Sequence, residues 1–291
     1  MRWNWNKALI IIALSVFAVL CVIPIIAVLS ISLTEENSLA LQGYSLIPAK
    51  ASAEAYRYLL SDPSAILRSY GISLAVTLIG GFLSLCVITG IAYPLSRSDF
   101  FVRRQLSFFI FFTMLFNGGL VPWYIIITRY LHLQNSIWVL IIPYLANAWY
   151  ILLMRTYLQS IPPALVESAT LEGAGEWRIL FQIILPMVTP ALATVGLFMV
   201  LAYWNDWWLA MLFIEKESLV PLQYRLYRIM ANIQFLTTQM VSGAVTVDLT
   251  KLPNESARMA MCVIAAGPML FVFPFFQKYF VRGLTVGAVK G

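Results

Sequence analysis

The sequence predicts an all-α integral membrane protein with about six transmembrane helices. Of its 291 residues, 61% are hydrophobic and only 11% are charged, and the mean hydropathy is +0.83. Soluble domains carry about 25% charged residues, so this chain has too few to cover a globular surface. Long uncharged runs also follow one another along the chain, and a spanning helix needs about 20 such residues.

The first predicted span is the uncharged run from Ala8 to Leu33. Its 26 residues exceed the hydrophobic core of a signal peptide, which has about 7–15 residues. We therefore interpret it as a retained helix, with a cleaved signal peptide as the alternative.

Five further spans are predicted at about 70–95, 106–128, 137–154, 190–214 and 259–276. Gly118, Gly119 and Pro122 predict a break or kink in the third. Residues 1–68 then form an N-terminal helix with an outer loop, residues 69–281 a five-helix core and residues 282–291 a tail. Residues 160–190 form an inner loop of the core, and residues 215–257 an outer one.

The distribution of basic residues predicts that both termini lie in the cytoplasm. The formal charge is +6, and Lys and Arg collect on cytoplasmic loops, so we assign the charge to topology rather than to nucleic acid. The raw split of basic residues is ten inside and nine outside. Five of the outer nine lie in the long 215–258 region, where charge has less influence on orientation.

Residues that could bind a metal or form a catalytic group are scattered. The three cysteines lie inside apolar runs and have neither disulfide nor metal spacing, and His132 is the single histidine. We predict no metal site, no cofactor and no catalytic residue.

The inner loop carries the most informative pattern. Ser160 and the pair Pro162-Pro163 are typical of a helix start, and Gly173 can take the left-handed conformation that ends a helix. Ala169 and Gly173 share one small-residue face. Such a helix suits docking into a groove on a cytoplasmic partner; capping of the bundle is an equally good interpretation on these grounds.

The same stretch resembles the EAA loop of bacterial ABC importer permeases. That pattern is Glu-Ala-Ala, three residues, Gly, nine residues, Ile, one residue and Leu-Pro. The chain matches it with one departure, Ser168 for Ala, and the matched positions are Glu167, Ser168, Ala169, Gly173, Ile183, Leu185 and Pro186.

Other stretches resemble the carbohydrate permeases related to the maltose system. They are Trp204-Asn205-Asp206-Trp207, the C-terminal segment from Arg282 to Gly291, and the segment beginning Pro221-Leu222-Gln223-Tyr224. The last resembles the subset that imports complex oligosaccharides, including acidic, alginate-like ones. The resemblance covers about Ser69 to the end of the chain.

The resemblance implies a type I ABC importer permease fold in the bacterial inner membrane. It implies a second related permease, two cytoplasmic ATPase subunits that bind ATP and Mg²⁺, a periplasmic binding protein and an oligosaccharide substrate. The ATPase-coupling residues would be Glu167, Ser168, Ala169, Leu171, Gly173 and Pro186. Gly287 and Lys290 of the tail would also contact the ATPases, although a frayed terminus is the alternative.

Two further sets of residues are candidates for contact with substrate. Trp204, Asn205 and Asp206 line the translocation path, or Asn205 and Asp206 hold the partner permease, if Asp206 faces the bundle interior or a wet cavity. A helix–helix hydrogen bond near the outer interface is an equally good alternative. Tyr224, Arg225, Tyr227 and Arg228 suit sugar rings and carboxylates; interfacial anchoring or contact with the binding protein is the favoured alternative.

The sequence distinguishes between three function classes. The chain has no Gly-x-x-x-x-Gly-Lys-Ser/Thr phosphate loop, so ATP must be hydrolysed by a partner. A secondary transporter would require more intramembrane ionisable groups or paired broken helices, and a membrane enzyme would require a catalytic cluster. An ABC permease for a solute other than sugar remains an alternative.

Overall fold

The computed structural model describes residues 5–241 and 254–288, which are helical apart from turns and one isolated bridge between Thr34 and Ala51. They divide into two compact units. The first is built from the described parts of 1–67 and 225–268, and the second from those of 68–224 and 269–291. All three boundaries along the chain fall inside long helices, Pro63–Ser96, Leu222–Val241 and Glu255–Ala288.

The first unit contains α1 and the short helices that follow it. Its helices are α1 (Trp5–Ser32), α2 (Glu36–Gln42), α3 (Glu54–Leu59), the start of α4 (Pro63–Ser96), most of α13 (Leu222–Val241) and the first part of α14 (Glu255–Ala288). The apolar side chains of α1 are exposed along almost its whole length, as expected of a helix surrounded by lipid.

A carboxylate from α2 caps the start of α14. The Glu36 side chain accepts hydrogen bonds from the backbone N–H of Glu255 (2.9 Å) and of Ser256 (3.1 Å), and from the Ser256 hydroxyl at 2.7 Å. The first amides of a helix have no partner within the helix. Glu36 therefore supplies both the missing acceptors and a favourable charge.

The second unit contains the rest of the helices. They are the remainder of α4, α5 (Arg103–Leu115), α6 (Leu120–Ile125), α7 (Ala148–Gln159), α8 (Pro163–Leu171), α9 (Glu176–Arg178), α10 (Leu185–Met187), α11 (Thr189–Trp204), α12 (Trp208–Phe213), the start of α13 and the later part of α14. Two π-helical segments follow α6 and α9 directly, Ile126–Tyr130 and Ile179–Ile184. Short 3₁₀ turns cover Ile137–Leu140, Ile142–Tyr144 and Glu217–Leu219.

Two apolar clusters hold this unit together. The first joins α4 and α7 to the segment that contains α8 and the second π-helix, through residues such as Ile88, Met154, Ala169 and Ile179. The second surrounds Leu140, Tyr203 and Phe213. The first cluster fixes the position of the inner loop that the sequence singled out.

Three of the described helices are long and apolar enough to cross a membrane, and up to six spans result if each bent pair counts as one. The bent pairs are 103–115 with 120–130 (112°), 137–144 with 148–159 (49°) and 176–187 with 189–204 (82°). The break predicted at Gly118, Gly119 and Pro122 is confirmed. Gly119 has a φ of +88° there, and its N–H donates to Asn117 Oδ1 at 2.8 Å.

The other predicted spans overlap helices, but the fifth, at 190–214, is not one helix: α11 ends at Trp204 and α12 is separate. The second span is longer than predicted, because α4 starts at Pro63. The predicted outer loop of residues 215–257 contains a 20-residue helix, α13. The predicted tail starting at residue 282 continues α14 as far as Ala288.

Candidate functional site

Helix α8 begins as the proline pair predicts. Pro162 is extended, with a ψ of 127°, and Pro163 is the first residue of the helix. Proline is well tolerated there because the first helical N–H has no intrahelical acceptor. The Pro162 carbonyl accepts the N–H of Leu165 at 3.2 Å.

The end of α8 is a complete Schellman motif. The N–H of Gly173 donates to the Thr170 carbonyl and that of Ala174 to the Ala169 carbonyl, both at 3.0 Å. Gly173 has a φ of +80°, and a Cβ there would meet nothing within 4 Å. Glycine is therefore favoured here by its left-handed backbone and not by close approach of another part of the chain.

One face of α8 packs against the first apolar cluster and the other is exposed. Ala169 is 6% exposed and lies in the first cluster, with Val166 packed beside it. Glu167 and Ser168 are exposed, and Leu171 is 89% exposed. The Ser168 hydroxyl bonds to the Ala164 carbonyl at 2.8 Å, which satisfies it within the helix.

Glu167 makes no side-chain hydrogen bond or ion pair within the part of the chain that the structure describes. It borders a cavity of about 230 Å³ whose lining includes Arg97, Pro163 and Val166. It is the fifth residue of α8, and the interaction with a helix dipole falls off within the first turn. The dipole of α8 therefore gives a poor explanation for an acid at this position.

The segment after α8 carries an interaction that the sequence analysis missed. The Glu176 carboxylate accepts hydrogen bonds from the Tyr93 hydroxyl (2.8 Å) and from Arg97 Nη2 (3.4 Å). Arg97 also donates to both carboxylate oxygens of Asp99, at 3.0 and 2.8 Å, which lowers the pKa of Asp99. No spacing rule joins residues so far apart in sequence.

Pro186 lies at an irregular part of the same segment. The π-helix that follows α9 ends at Ile184, Pro186 is exposed within α10, and the chain then bends by 82° before α11. Proline lacks the N–H that a regular helix would use, which is consistent with this break.

The Trp-Asn-Asp triplet lies at the end of α11, and its members differ in environment. Trp204 is buried, whereas Asn205 is exposed and donates to the Leu201 carbonyl at 2.9 Å. Asp206 accepts the Tyr144 hydroxyl at 2.9 Å and the Leu209 N–H at 3.3 Å. Asp206 thus binds two groups of the second unit, and a role in the path stays a prediction.

The four candidates near the start of α13 are divided between the units. Tyr224 packs against the second cluster of the second unit. In the first unit, Arg225 borders a cavity of about 240 Å³ together with Asp62, while Tyr227 and Arg228 are exposed.

Gly287 lies in the last turn of α14, and Lys290 lies outside the described residues. Among the described residues, no group of three or more His, Cys, Asp or Glu side chains could hold a metal ion.

Comparison with known proteins gives consistent results. The model of the family "Binding-protein-dependent transport system inner membrane component" matches residues 3–286. A polygalacturonan/rhamnogalacturonan transport system permease protein of Bacillus subtilis is 36% identical over 96% of both chains. A trehalose/maltose transport system permease protein of Thermococcus litoralis is 29% identical over 98% of both chains.

The crystal structure of a bacterial ABC transporter involved in the import of the acidic polysaccharide alginate contains a chain with the same fold. Its TM-score is 0.77 at 29% identity, covering 96% of this chain and 98% of that one. The fold predicted from the sequence, a type I ABC importer permease, is confirmed. The chain belongs to the family of binding-protein-dependent transport system inner membrane components.

Proposed function

We propose that this chain is the transmembrane permease subunit of an ABC importer for oligosaccharides, and that α8 couples it to ATP hydrolysis by partner subunits. The observation that carries the proposal is the construction of α8. This helix begins at a proline and ends in a Schellman motif. One of its faces packs against the first apolar cluster, and the other face is exposed.

The exposed face suits a protein partner. It presents the Glu167 carboxylate and the apolar side chain of Leu171, and further along the segment Trp177 stacks on Phe181 with ring centroids 5.9 Å apart. Exposed aromatic and apolar side chains are enriched at protein–protein interfaces. Glu167 would supply a charge-assisted hydrogen bond to an ATPase subunit.

The buried face suits transmission of movement. Ala169 fits against the cluster that holds α4, α7 and the second π-helix, so displacement of α8 displaces its neighbours. Shifting a two-state equilibrium from 1:99 to 99:1 requires about 5.5 kcal/mol. A helix fixed at both ends can transmit that work, whereas a flexible linker would dissipate it.

The proposal includes the partners and the orientation. ATP and Mg²⁺ would be bound by two cytoplasmic ATPase subunits, because this chain has no phosphate-binding loop. A second permease would complete the pathway, and a binding protein would deliver the substrate. Residues 160–190 and both termini would face the cytoplasm, where Gly287 and Lys290 would approach the ATPases.

The substrate we propose is an acidic oligosaccharide. One similar protein is a polygalacturonan/rhamnogalacturonan transport system permease, and another belongs to a transporter involved in the import of the acidic polysaccharide alginate. Arg225 and Arg228, with Tyr224 and Tyr227, would supply cationic and aromatic contacts for such a chain on the outer side.

The coupling proposal is tested in proteoliposomes that contain the complete importer. Binding protein loaded with oligogalacturonate should stimulate ATP hydrolysis and uptake, and Glu167→Ala should reduce both about tenfold. Glu54→Ala, which also removes an exposed acid, is the matched control and should leave both unchanged. Normal uptake by Glu167→Ala would contradict the assigned role of α8.

Orientation is tested separately with Ser168→Cys in a variant whose three native cysteines are replaced. An impermeant maleimide should label this position only from the cytoplasmic side of membrane vesicles when the ATPase subunits are absent, and bound ATPase subunits should protect it. Labelling from the outside would reject the proposed function.

A further inference from the structure

Glu176 joins two elements that are far apart in sequence. It is the first residue of α9, and its carboxylate binds the hydroxyl of Tyr93 and the guanidinium of Arg97. Tyr93 lies in the last turn of α4, where it is 9% exposed, and Arg97 directly follows that helix. We call Tyr93, Arg97 and Glu176 the Glu176 clamp.

Hydrogen bonds rather than packing hold this segment at Glu176. From Leu171 to Arg178 every residue except Ala174 is exposed, and Trp177 is 75% exposed. A cavity of about 470 Å³ lies beside the clamp, bordered by Gly90, Pro94, Trp177 and Leu180. Close packing resumes only at Ile179, which is fully buried.

The clamp itself is held in a defined geometry. Arg97 is fixed by its two bonds to Asp99, and Arg103 Nη1 donates to the Arg97 carbonyl at 3.2 Å. The Tyr93 hydroxyl therefore meets a carboxylate whose other oxygen faces a fixed cation. Charge-assisted bonds of this kind are shorter and stronger than neutral ones.

The clamp gives movement of α8 a direct connection to α4. The covalent route from α8 into the bundle passes through a π-helix and an 82° bend before it reaches α11. The route through Glu176 crosses one hydrogen bond and enters a continuous 34-residue helix close to its end. Displacement of Glu176 therefore acts directly on that end of α4.

We infer that Glu176 is a positioning residue that transmits the movement of the α8 segment to α4 through Tyr93 and Arg97. This inference rests on the proposed function, since it assigns a route to the coupling that function requires. The family pattern identifies other residues of this loop, whereas Glu176 is identified by its contacts alone.

The test compares Glu176→Gln and Tyr93→Phe, singly and together, with the wild-type importer in proteoliposomes. Glu172→Gln is the matched control, because Glu172 is an exposed acid of the same segment whose side chain makes no hydrogen bond in the described part of the chain. Uptake and ATP hydrolysis are measured in the same vesicles, so that substrate moved per ATP is obtained directly.

Each single variant should assemble and hydrolyse ATP within about twofold of wild type, while substrate moved per ATP falls at least threefold. The double variant should lose less than the sum of the two single losses, because both substitutions weaken the same connection. Glu176→Asp should recover part of the ratio, since it keeps the charge, and Glu172→Gln should match wild type.

A merely structural Glu176 would lower assembly and ATP hydrolysis together and leave the ratio unchanged. That result would overturn the inference, as would an unchanged ratio in Tyr93→Phe. Failure of the proposed function is recognised differently, because the wild-type vesicles would then show no ATP hydrolysis stimulated by the loaded binding protein.

Discussion

Gly80 of α4 lies directly against the ring of Tyr203 of α11. A Cβ added to Gly80 would be 2.7 Å from Cζ of Tyr203, closer than side chains approach in folded proteins. The Tyr203 hydroxyl donates to the Ile141 carbonyl at 2.9 Å, so it accepts the bond from Ser84 Oγ at 2.8 Å. Because Gly80 has no side chain, the Tyr203 ring fits against α4, where its hydroxyl reaches both Ser84 and the Ile141 carbonyl.

Gly80→Ala should therefore destabilise the protein, because the buried ring is held by two hydrogen bonds and cannot move aside freely. Overpacking of this kind costs about 1–3 kcal/mol, which thermal unfolding of the purified chain in detergent would detect. Gly71→Ala on the same helix, where a Cβ would meet nothing within 4 Å, should be neutral or slightly stabilising. Equal unfolding temperatures for the two variants would contradict this account.

Gly173→Ala should loosen the end of α8 without altering packing. A side chain at a φ of +80° costs about 1 kcal/mol, and the penalty falls on the Schellman hydrogen bonds. Hydrogen exchange at the amides of Gly173 and Ala174 should accelerate about fivefold, in proportion to that cost. Gly173→Asn, which tolerates the left-handed region better, should accelerate it less; identical exchange in all three proteins would refute the motif's role.

Local chemistry allowed the sequence to predict α8 well. Proline at a helix start and glycine at a helix end act within a few residues, and the structure has both where they were expected. The break in the third span near Gly118 and Pro122 was predictable for the same reason, because glycine and proline act on their immediate neighbours. The six apolar runs were predictable because hydropathy depends on composition alone.

Long-range contacts could not be predicted in the same way. Residues 215–257 are polar enough to have been interpreted as a loop, yet they contain α13, an amphipathic helix whose inner face includes the buried residues Leu226 and Ile233. The partners of Glu176 and Glu36 are set by how helices meet in space. A single sequence without recognisable spacing carries no signal for such pairs.

Glu36→Ala should destabilise the first unit, because it removes the cap from α14 and leaves two amides without an acceptor. Loss of a cap with its charge costs about 1–2 kcal/mol, and unfolding in detergent is again the measurement. Glu35→Ala is the control: its ion pair with Lys50 (2.7 Å) involves a lysine that is mostly exposed, and such pairs contribute less than about 1 kcal/mol. A larger effect at Glu35 than at Glu36 would contradict the cap.

The Asp99–Arg97 pair should make stability depend on pH in the acidic range. Arg97 donates two hydrogen bonds to Asp99 and lowers the pKa of that carboxyl in the folded state. A lowered folded pKa stabilises the protein above the usual pKa, near 3.9, and the contribution is lost as pH falls through the folded value.

The difference in unfolding temperature between wild type and Asp99→Asn should therefore be constant from about pH 5.5 to 7.5 and shrink below about pH 4. Because the Asp99 side chain is largely exposed, high salt should also reduce it. A difference that grows on acidification would have the wrong sign for this pair.

The last prediction separates the two roles considered for Asp206. Its carboxylate binds the Tyr144 hydroxyl and the Leu209 N–H, so it connects the 3₁₀ turn before α7 to the start of α12. On this basis Asp206→Ala should lower stability by about 1–3 kcal/mol, since it leaves a part-buried hydroxyl without its acceptor.

Tyr144→Phe should lower stability less than Asp206→Ala, and the double variant should be no less stable than Asp206→Ala alone, because the two residues share one bond. Asn205→Ala is the neighbouring control, since that exposed amide bonds only to its own helix at Leu201. A residue that instead lines the substrate path would change the rate or selectivity of uptake while the unfolding temperature stayed constant. Measuring both quantities for Asp206→Asn, which keeps the shape of the side chain, decides between a helix connection and a path contact.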